Sequence, residues 1–213
     1  MSQVLESHRS AHTDSFARDH LPPMALWPVL EYTLPELQYP SRLNCATELL
    51  DRHIDEGRSA RTAILFPGGR WSYADLLATS NRIANTLVHD FGIVPGNRVL
   101  LRAPNNPMLA ACWFAVLKAG GIVVCTMPLL RERELRFILD HAQVNLALTD
   151  ERIADALEQA VAQPGSRKVP IVRFRELESL AASRSAAFVN VATAADDVAI
   201  IAYTSGTTGK AKG

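Results

Sequence analysis

From Arg98 onward, short apolar runs alternate with longer stretches whose apolar residues recur at helical spacing. The runs are Arg98–Arg102, Ile122–Thr126, Val144–Thr149, Ile171–Phe174 and Val198–Tyr203. Parallel neighbours in a sheet need a crossover between them, and a helix is the usual crossover because it covers one sheet face as it returns. The alternation therefore predicts an α/β fold: a mostly parallel sheet flanked by helices. The helices are expected from Pro107 to about Ala119, over Glu132–His141, over Glu151–Val161, and briefly over Glu176–Ala182.

Local signals sharpen the boundaries. Ala63–Phe66, Pro67-Gly68-Gly69 and Arg70-Trp71-Ser72 read as a β-hairpin. Ser72 with Asp75 forms a capping box, and Leu76, Ile83, Ala84, Leu87 and Val88 give the following helix one buried face. Gly92 closes that helix, and Pro95-Gly96 turns the chain. Asn106 caps the next helix with Pro107 at its first position, where a missing N–H does no harm. A further helix is expected over Asn44–Ile54.

Pro107–Leu130 is apolar apart from Lys118 and has the length of a membrane span, about 20 residues. Lys118 at its middle and the Gly120-Gly121 pair after it favour a buried helix, a turn and a buried strand instead. Residues 1–40 are punctuated by Pro22, Pro23, Pro28, Pro35 and Pro40, so regular structure there should be short. Trp27, Leu30, Leu34, Leu37 and Tyr39 suggest an arm lying on the domain surface, with disorder as the competing reading. Residues 41–213 then form the domain proper.

Lys plus Arg number 22 and Asp plus Glu 22, so no field of one sign argues for nucleic acid or an acidic membrane. Cys45, Cys112 and Cys125 form no CxxC pair; Cys112 and Cys125 lie in apolar runs and are expected to be buried. Such usage fits a reducing compartment, the cytoplasm, and the first twenty residues lack the apolar core of a signal peptide. His8 and His12 stand four apart, but no third ligand is near in sequence and a mobile polar terminus is the plainer reading. Arg131, Glu132, Arg133 and Glu134 alternate in sign, as a solvated helix start does, and Asp196 and Asp197 read as turn residues.

The chemistry sits in the last segment. A strand over Val198–Tyr203 runs into Thr204-Ser205-Gly206-Thr207-Thr208-Gly209-Lys210-Ala211-Lys212-Gly213, which holds three glycines, four hydroxyls and two lysines in ten residues. Glycines let a backbone approach a bulky anion and turn several N–H groups toward it, hydroxyls add neutral donors, and lysines supply charge. The spacing is not that of the common nucleoside-triphosphatase loop, because two residues rather than four separate Gly206 from Gly209 and Ala211 follows Lys210. No GxGxxG fingerprint occurs. A flexible linker is the alternative, but linkers seldom follow directly on a buried strand.

Tyr203–Gly213, YTSGTTGKAKG, resembles the signature of the acyl-adenylate-forming superfamily, which includes acyl-CoA synthetases, luciferases and the adenylation domains of peptide synthetases. Ten of its eleven positions agree; Ala211 stands where proline is usual. The resemblance extends from about Ser41 to the end of the chain, through WSYADL (71–76) and FAVLKAGG (114–121). Within the superfamily, LRAPNNPMLAACWFAVLKAGG and TMPLLRERELRFIL look most like the benzoate and 2-aminobenzoate CoA ligases. The resemblance implies the first part of a large N-terminal domain whose remainder lies downstream of Gly213. It implies a reaction in which ATP and a small carboxylic acid give an acyl adenylate and pyrophosphate with Mg²⁺, after which coenzyme A displaces AMP. Thr204, Ser205, Gly206, Thr207, Thr208 and Gly209 would wrap the β- and γ-phosphates, and Lys212 would contact phosphate oxygens. Lys210 occupies the variable position. The metal-binding Glu, the adenine and ribose sites and the catalytic Lys are expected downstream, so the 213-residue piece alone is expected to be inactive. An adenylation domain that loads a carrier protein and a non-catalytic nucleotide-binding module are the rival readings.

Overall fold

The computed structural model describes residues 9–29, 31–205 and 211–213. Its first elements are a one-turn helix α1 (Phe16–Asp19) and a helix that winds as a π-turn over Thr47–Asp51 before ending as α2 (Arg52–Asp55). β1 (Thr62–Phe66) and β2 (Gly69–Ser72) form the expected antiparallel hairpin. It leads into α3 (Tyr73–His89), whose capping box is complete: Asp75 N–H donates to the Ser72 hydroxyl, and Ser72 N–H donates to the Asp75 carboxylate. Then follow β3 (Arg98–Arg102), α4 (Pro107–Lys118), β4 (Ile122–Thr126), α5 (Glu132–His141), β5 (Leu146–Thr149), α6 (Asp155–Ala162), β6 (Ile171–Arg173) and α7 (Phe174–Ala182).

The four later strands make one parallel sheet in the order β4-β3-β5-β6. Side chains alternate across it, as the pleat demands. Val99, Leu101, Val123, Leu146 and Leu148 face a core shared with Ile83, Leu87, Cys112, Val116 and Leu177 of α3, α4 and α7. Leu100, Val124 and Ala147 face the other side, against Leu135, Ile138 and Leu139 of α5 and Leu157 of α6. The sheet is thus covered on both faces, which is why its strands read as continuous apolar runs rather than alternating ones.

The apolar stretch around Lys118 divides as expected, with Gly120 at φ 71° ending α4. No helix among the described residues is long and apolar enough to cross a membrane. Lys118 itself is fully buried and reaches Asp51, with its ammonium 2.6 and 2.7 Å from the two carboxylate oxygens and 3.1 Å from Asn190 Oδ1. Burial pulls its pKa below the usual lysine value, and the Asp51 carboxylate opposes that pull.

Several expectations are corrected. The arm is held less by Trp27 and the residues after it, since Trp27, Leu34 and Tyr39 are exposed and Leu37 is half-buried, than by Ser10–Asp19. There Thr13 and Asp14 N–H groups both donate to Pro95 O at 3.0 Å. Asp14 also accepts from Arg98, 2.6 Å away, and Arg98 lies 4.8 Å from the Phe16 ring centroid. Leu30 lies outside the described residues. The helix expected over Glu151–Val161 is broken: Asp150 accepts from Arg152 N–H and sets a single 3-10 turn, Glu151–Ile153, before α6 begins. Cys112 is buried, with its thiol pKa pushed up by burial, but Cys125 is exposed because its strand position faces a groove rather than a core.

Candidate nucleotide-binding site

Ligands in open parallel sheets collect at the carboxyl ends of the strands. At that end of β3, Arg102 is almost wholly buried and donates to four carbonyls: Ile153 from Nε (3.2 Å), Met127 from Nη1 (2.9 Å), and Pro128 and Leu130 from Nη2 (2.9 and 2.8 Å). One guanidinium thereby ties the loop after β4 to the turn after β5. Asn106 accepts from Leu109 N–H at 2.8 Å as the cap of α4 and donates to Asp150 at 3.1 Å. Asp150, buried at the end of β5, is held below the usual carboxylate range chiefly by its hydrogen bonds from Arg152. Beside these loops lies an apolar groove of about 460 Å³ between the β1–β2 hairpin and α4, with Leu65, Phe66, Trp113, Phe114 and Cys125 in its lining.

The segment that carries the predicted phosphate contacts lies on the far edge of β4. Val198–Tyr203 runs parallel to β4 as expected, but it is not a buried strand. Its only bridge among the described residues joins Ile200 to Val123, through Val123 N–H to Ala199 O (3.0 Å) and Ile201 N–H to Val123 O (2.9 Å). Ile200 is exposed. After Ile201 the segment leaves the sheet. Tyr203 turns onto α5, where its hydroxyl lies 2.7 Å from His141 Nδ1 and its ring meets the Phe137 ring edge-on at 6.3 Å. Burial pushes the Tyr203 pKa up to about 12.

Thr204–Gly213 is expected to be an exposed loop at the carboxyl end of Val198–Tyr203; among its described residues the two ends pair. β7 (Thr204–Ser205) and β8 (Ala211–Lys212) form an antiparallel ribbon in the register Thr204 with Lys212 and Ser205 with Ala211. Backbone pairing between hydroxyl-bearing and lysine-bearing strands is local and satisfies donors that a free loop would leave to water. Thr204 is exposed. Gly206, Thr207, Thr208 and Gly209, with Lys210, lie outside the described residues. The ribbon therefore brings together the first two and the last of the predicted phosphate contacts, Thr204, Ser205 and Lys212, at the level of the backbone.

Other candidates resolve into structural roles. Asp197 lies in a turn, as expected, but its carboxylate is buried and accepts from Ser10, from Ala11 N–H (3.0 Å), from Ala194 N–H (2.8 Å) and from Arg18 (2.8 Å). Burial would raise its pKa, yet these donors hold it below the usual value. No residue pattern marked Asp197 as an anchor for an arm 179 to 187 residues away. His12 sits beside it at a cavity of about 40 Å³, and burial lowers its pKa; His8 lies outside the described residues. Among the described residues no three His, Cys, Asp or Glu side chains converge as metal ligands would.

The family described as "AMP-binding enzyme" matches residues 50–213. A 3-hydroxybenzoate–CoA/4-hydroxybenzoate–CoA ligase of Thauera aromatica is 29% identical over 188 residues, covering 83% of this chain and 35% of that ligase. The structure of ATP-bound MatB from Rhodopseudomonas palustris superposes with a TM-score of 0.69 at 30% identity, covering 81% of this chain and 34% of that one. An anthranilate CoA ligase, AuaEII, solved with anthranoyl-AMP, shares the fold at a TM-score of 0.74 and 20% identity, covering 80% of this chain and 33% of that one. The chain thus spans about one third of the length of these three relatives.

Proposed function

The chain belongs to the AMP-binding enzyme family, and from that premise we propose that it carries the ATP-phosphate-binding part of an AMP-forming acid–CoA ligase for a small aromatic acid. The observation that carries the proposal is the junction of edge strand and ribbon: a glycine-, hydroxyl- and lysine-rich stretch closed by pairing of Thr204 with Lys212, inside the region the family matches. In the proposed reaction a carboxylate oxygen attacks the α-phosphorus of ATP. The acyl–O–P bond forms, the bond to the β-phosphate breaks, and pyrophosphate leaves with the negative charge. The sulfur of coenzyme A then attacks the acyl carbon, loses its proton, and AMP departs.

Such chemistry asks the protein mainly to position the triphosphate and to stabilise charge as it develops on the leaving pyrophosphate. Backbone and hydroxyl donors from Thr204, Ser205, Gly206, Thr207, Thr208 and Gly209, with the Lys212 ammonium, are the groups proposed for that task. Mg²⁺ would enter with ATP as MgATP, and no step is routed through a site of this chain.

The aromatic preference rests on the similarity to hydroxybenzoate–CoA ligases. A slot for one ring gains up to about 0.8 kcal/mol per buried carbon, most of which acetate would forgo. The test is a substrate panel of benzoate, 2-aminobenzoate, hydroxybenzoates, acetate and palmitate, scored with the full-length enzyme by AMP release with CoA present. The highest kcat/KM is expected for an aromatic acid. Highest efficiency with acetate or palmitate would refute the substrate class, and no acid-dependent AMP release at all would refute the ligase.

A further inference from the structure

We propose that His141 is a positioning residue for ATP, acting through Tyr203 to hold the ribbon that bears the phosphate-binding residues. The inference rests on the assignment of that ribbon to ATP made above. Among the described residues the last backbone bond from the segment to the sheet is Ile201 N–H to Val123 O. From there to Thr204, side chains must fix the path. Tyr203 does so on two sides. Outward, its hydroxyl shares a hydrogen bond with His141 Nδ1, and the two rings meet at 5.7 Å and 76°. Phe137 stacks on His141 at 5.2 Å and meets Tyr203 edge-on, so three rings form one cluster on α5. Inward, the Tyr203 ring lies against Gly213, where a Cβ would fall 2.6 Å from Tyr203 Cζ.

Tyr203 and Gly213 flank the open end of the ribbon, because Thr204 pairs with Lys212. One ring therefore touches both strands at their base: it is covalently next to the first and packed on the end of the second. His141 is the last residue of α5, a helix fixed into the core by Leu135, Ile138 and Leu139. It is thus a post on a rigid element, and sites carried on rigid elements hold ligand groups more closely than free loops do. Losing the post leaves the fold's core untouched but lets the ribbon wander, and ordering it again must then be met from ATP binding.

The experiment uses the full-length enzyme and acid-dependent ATP–pyrophosphate exchange. His141→Ala and Tyr203→Phe each remove the hydrogen bond and leave Phe137 in place. Each is expected to raise the KM for ATP about three- to tenfold, the range for one lost hydrogen bond, with the KM for the acid and the melting temperature unchanged. The double variant should be no worse than either single one, since the same bond is lost once, and His141→Gln should recover part of the loss. Wild-type KM for ATP in both variants would overturn the proposal. So would equal losses on ATP and acid with a lowered melting temperature, which mark a purely structural contact. If the unmodified enzyme shows acid-dependent exchange while the variants are unaltered, only the role of His141 falls. If it shows no exchange, the ATP assignment falls and this inference with it.

Discussion

Replacing Lys118 by Met tests how the buried ion pair divides its worth. The Lys118 side chain is 0% exposed and its Asp51 partner 23% exposed. Removing one partner of a buried pair costs about 3–5 kcal/mol because the other charge is stranded. Here Asp51 keeps a 3.2 Å bond from Asn190 Nδ2 and some water, so Lys118→Met should fall below that range, at roughly 2–3 kcal/mol. At about 2–4 °C per kcal/mol for a chain of this size, the melting temperature should drop by roughly 4–12 °C. Asp51→Leu strands the wholly buried ammonium and should cost more than Lys118→Met. In that variant the Lys118 pKa, already pulled down by burial, loses the opposing carboxylate. Its folded-state pKa then lies further below the unfolded one, so the unfolded chain binds more protons and stability must rise with pH toward the usual lysine range. The pair Lys118→Met with Asp51→Leu strands no charge, leaves Asn190 its bond to Thr47, and should recover most of the loss. Urea unfolding followed by tryptophan fluorescence reads all four proteins. The reasoning is refuted if Asp51→Leu is the milder single change, or if the double variant is as unstable as the sum of the two.

With Lys212 as the phosphate ligand proposed above, Lys212→Ala would remove a charge-assisted contact worth about 1.5–3 kcal/mol, so adenylation at limiting ATP should slow by about 10- to 150-fold; full pyrophosphate exchange would show that Lys212 is no phosphate ligand. Asn106→Ala loses the cap of α4 and the bond to Asp150 and should cost about 1–2 kcal/mol in chemical denaturation, with less than ~0.3 kcal/mol counting against the capping role. The arm should detach in acid. Burial would raise the Asp14 and Asp197 pKa values, but their donors hold both below the usual 3.8, so the stabilisation is present above 3.8 and is lost as pH falls through the depressed folded-state values. Amide exchange at Thr13 and Asp14, protected by Pro95 O at neutral pH, should accelerate there before the core does, and simultaneous exchange of arm and core would refute it. Because these 213 residues span about one third of the ligases they resemble, we propose that by themselves they make no acyl adenylate; pyrophosphate release above that of the Lys212→Ala counterpart would show otherwise.

What could be read from the sequence was local. The Ser72–Asp75 box, the Asn106-Pro107 start and the glycine after Lys118 each act within a few residues, and each stands where expected. The order β4-β3-β5-β6, by contrast, is a choice among pairings that no local pattern distinguishes. The roles of buried charges were equally hidden. Arg98 and Arg102 bracket a strand and look alike in sequence, yet one meets the Asp14 carboxylate and Phe16 of a distant arm while the other is spent on four carbonyls. Those partners are 25 to 84 residues away, and a guanidinium in a strand does not announce which oxygen it will find. Cys125 shows the same gap: a β-branched apolar run predicted burial on both sides, but one side of this position opens onto the groove beside Trp113.

The edge segment shows how motif and fold constrain each other. Val198–Tyr203 has the composition of a central strand, and a sheet edge is an awkward place for it: among the described residues one row of N–H and C=O groups has no ladder partner. With a single bridge to β4 among the described residues, the sheet alone fixes little of its direction. The ribbon at its end restores pairing between Thr204–Ser205 and Ala211–Lys212, but such a two-stranded unit is marginal in water by itself. Its placement must therefore come from contacts at its base, where Tyr203, the one aromatic residue in the sequence 198–213, meets Phe137 and His141 of α5. In this fold the aromatic position that opens the motif is therefore more than a β-former: it is the joint between a weakly paired strand and the residues proposed to meet phosphate, and what it leans on sets how well they are held.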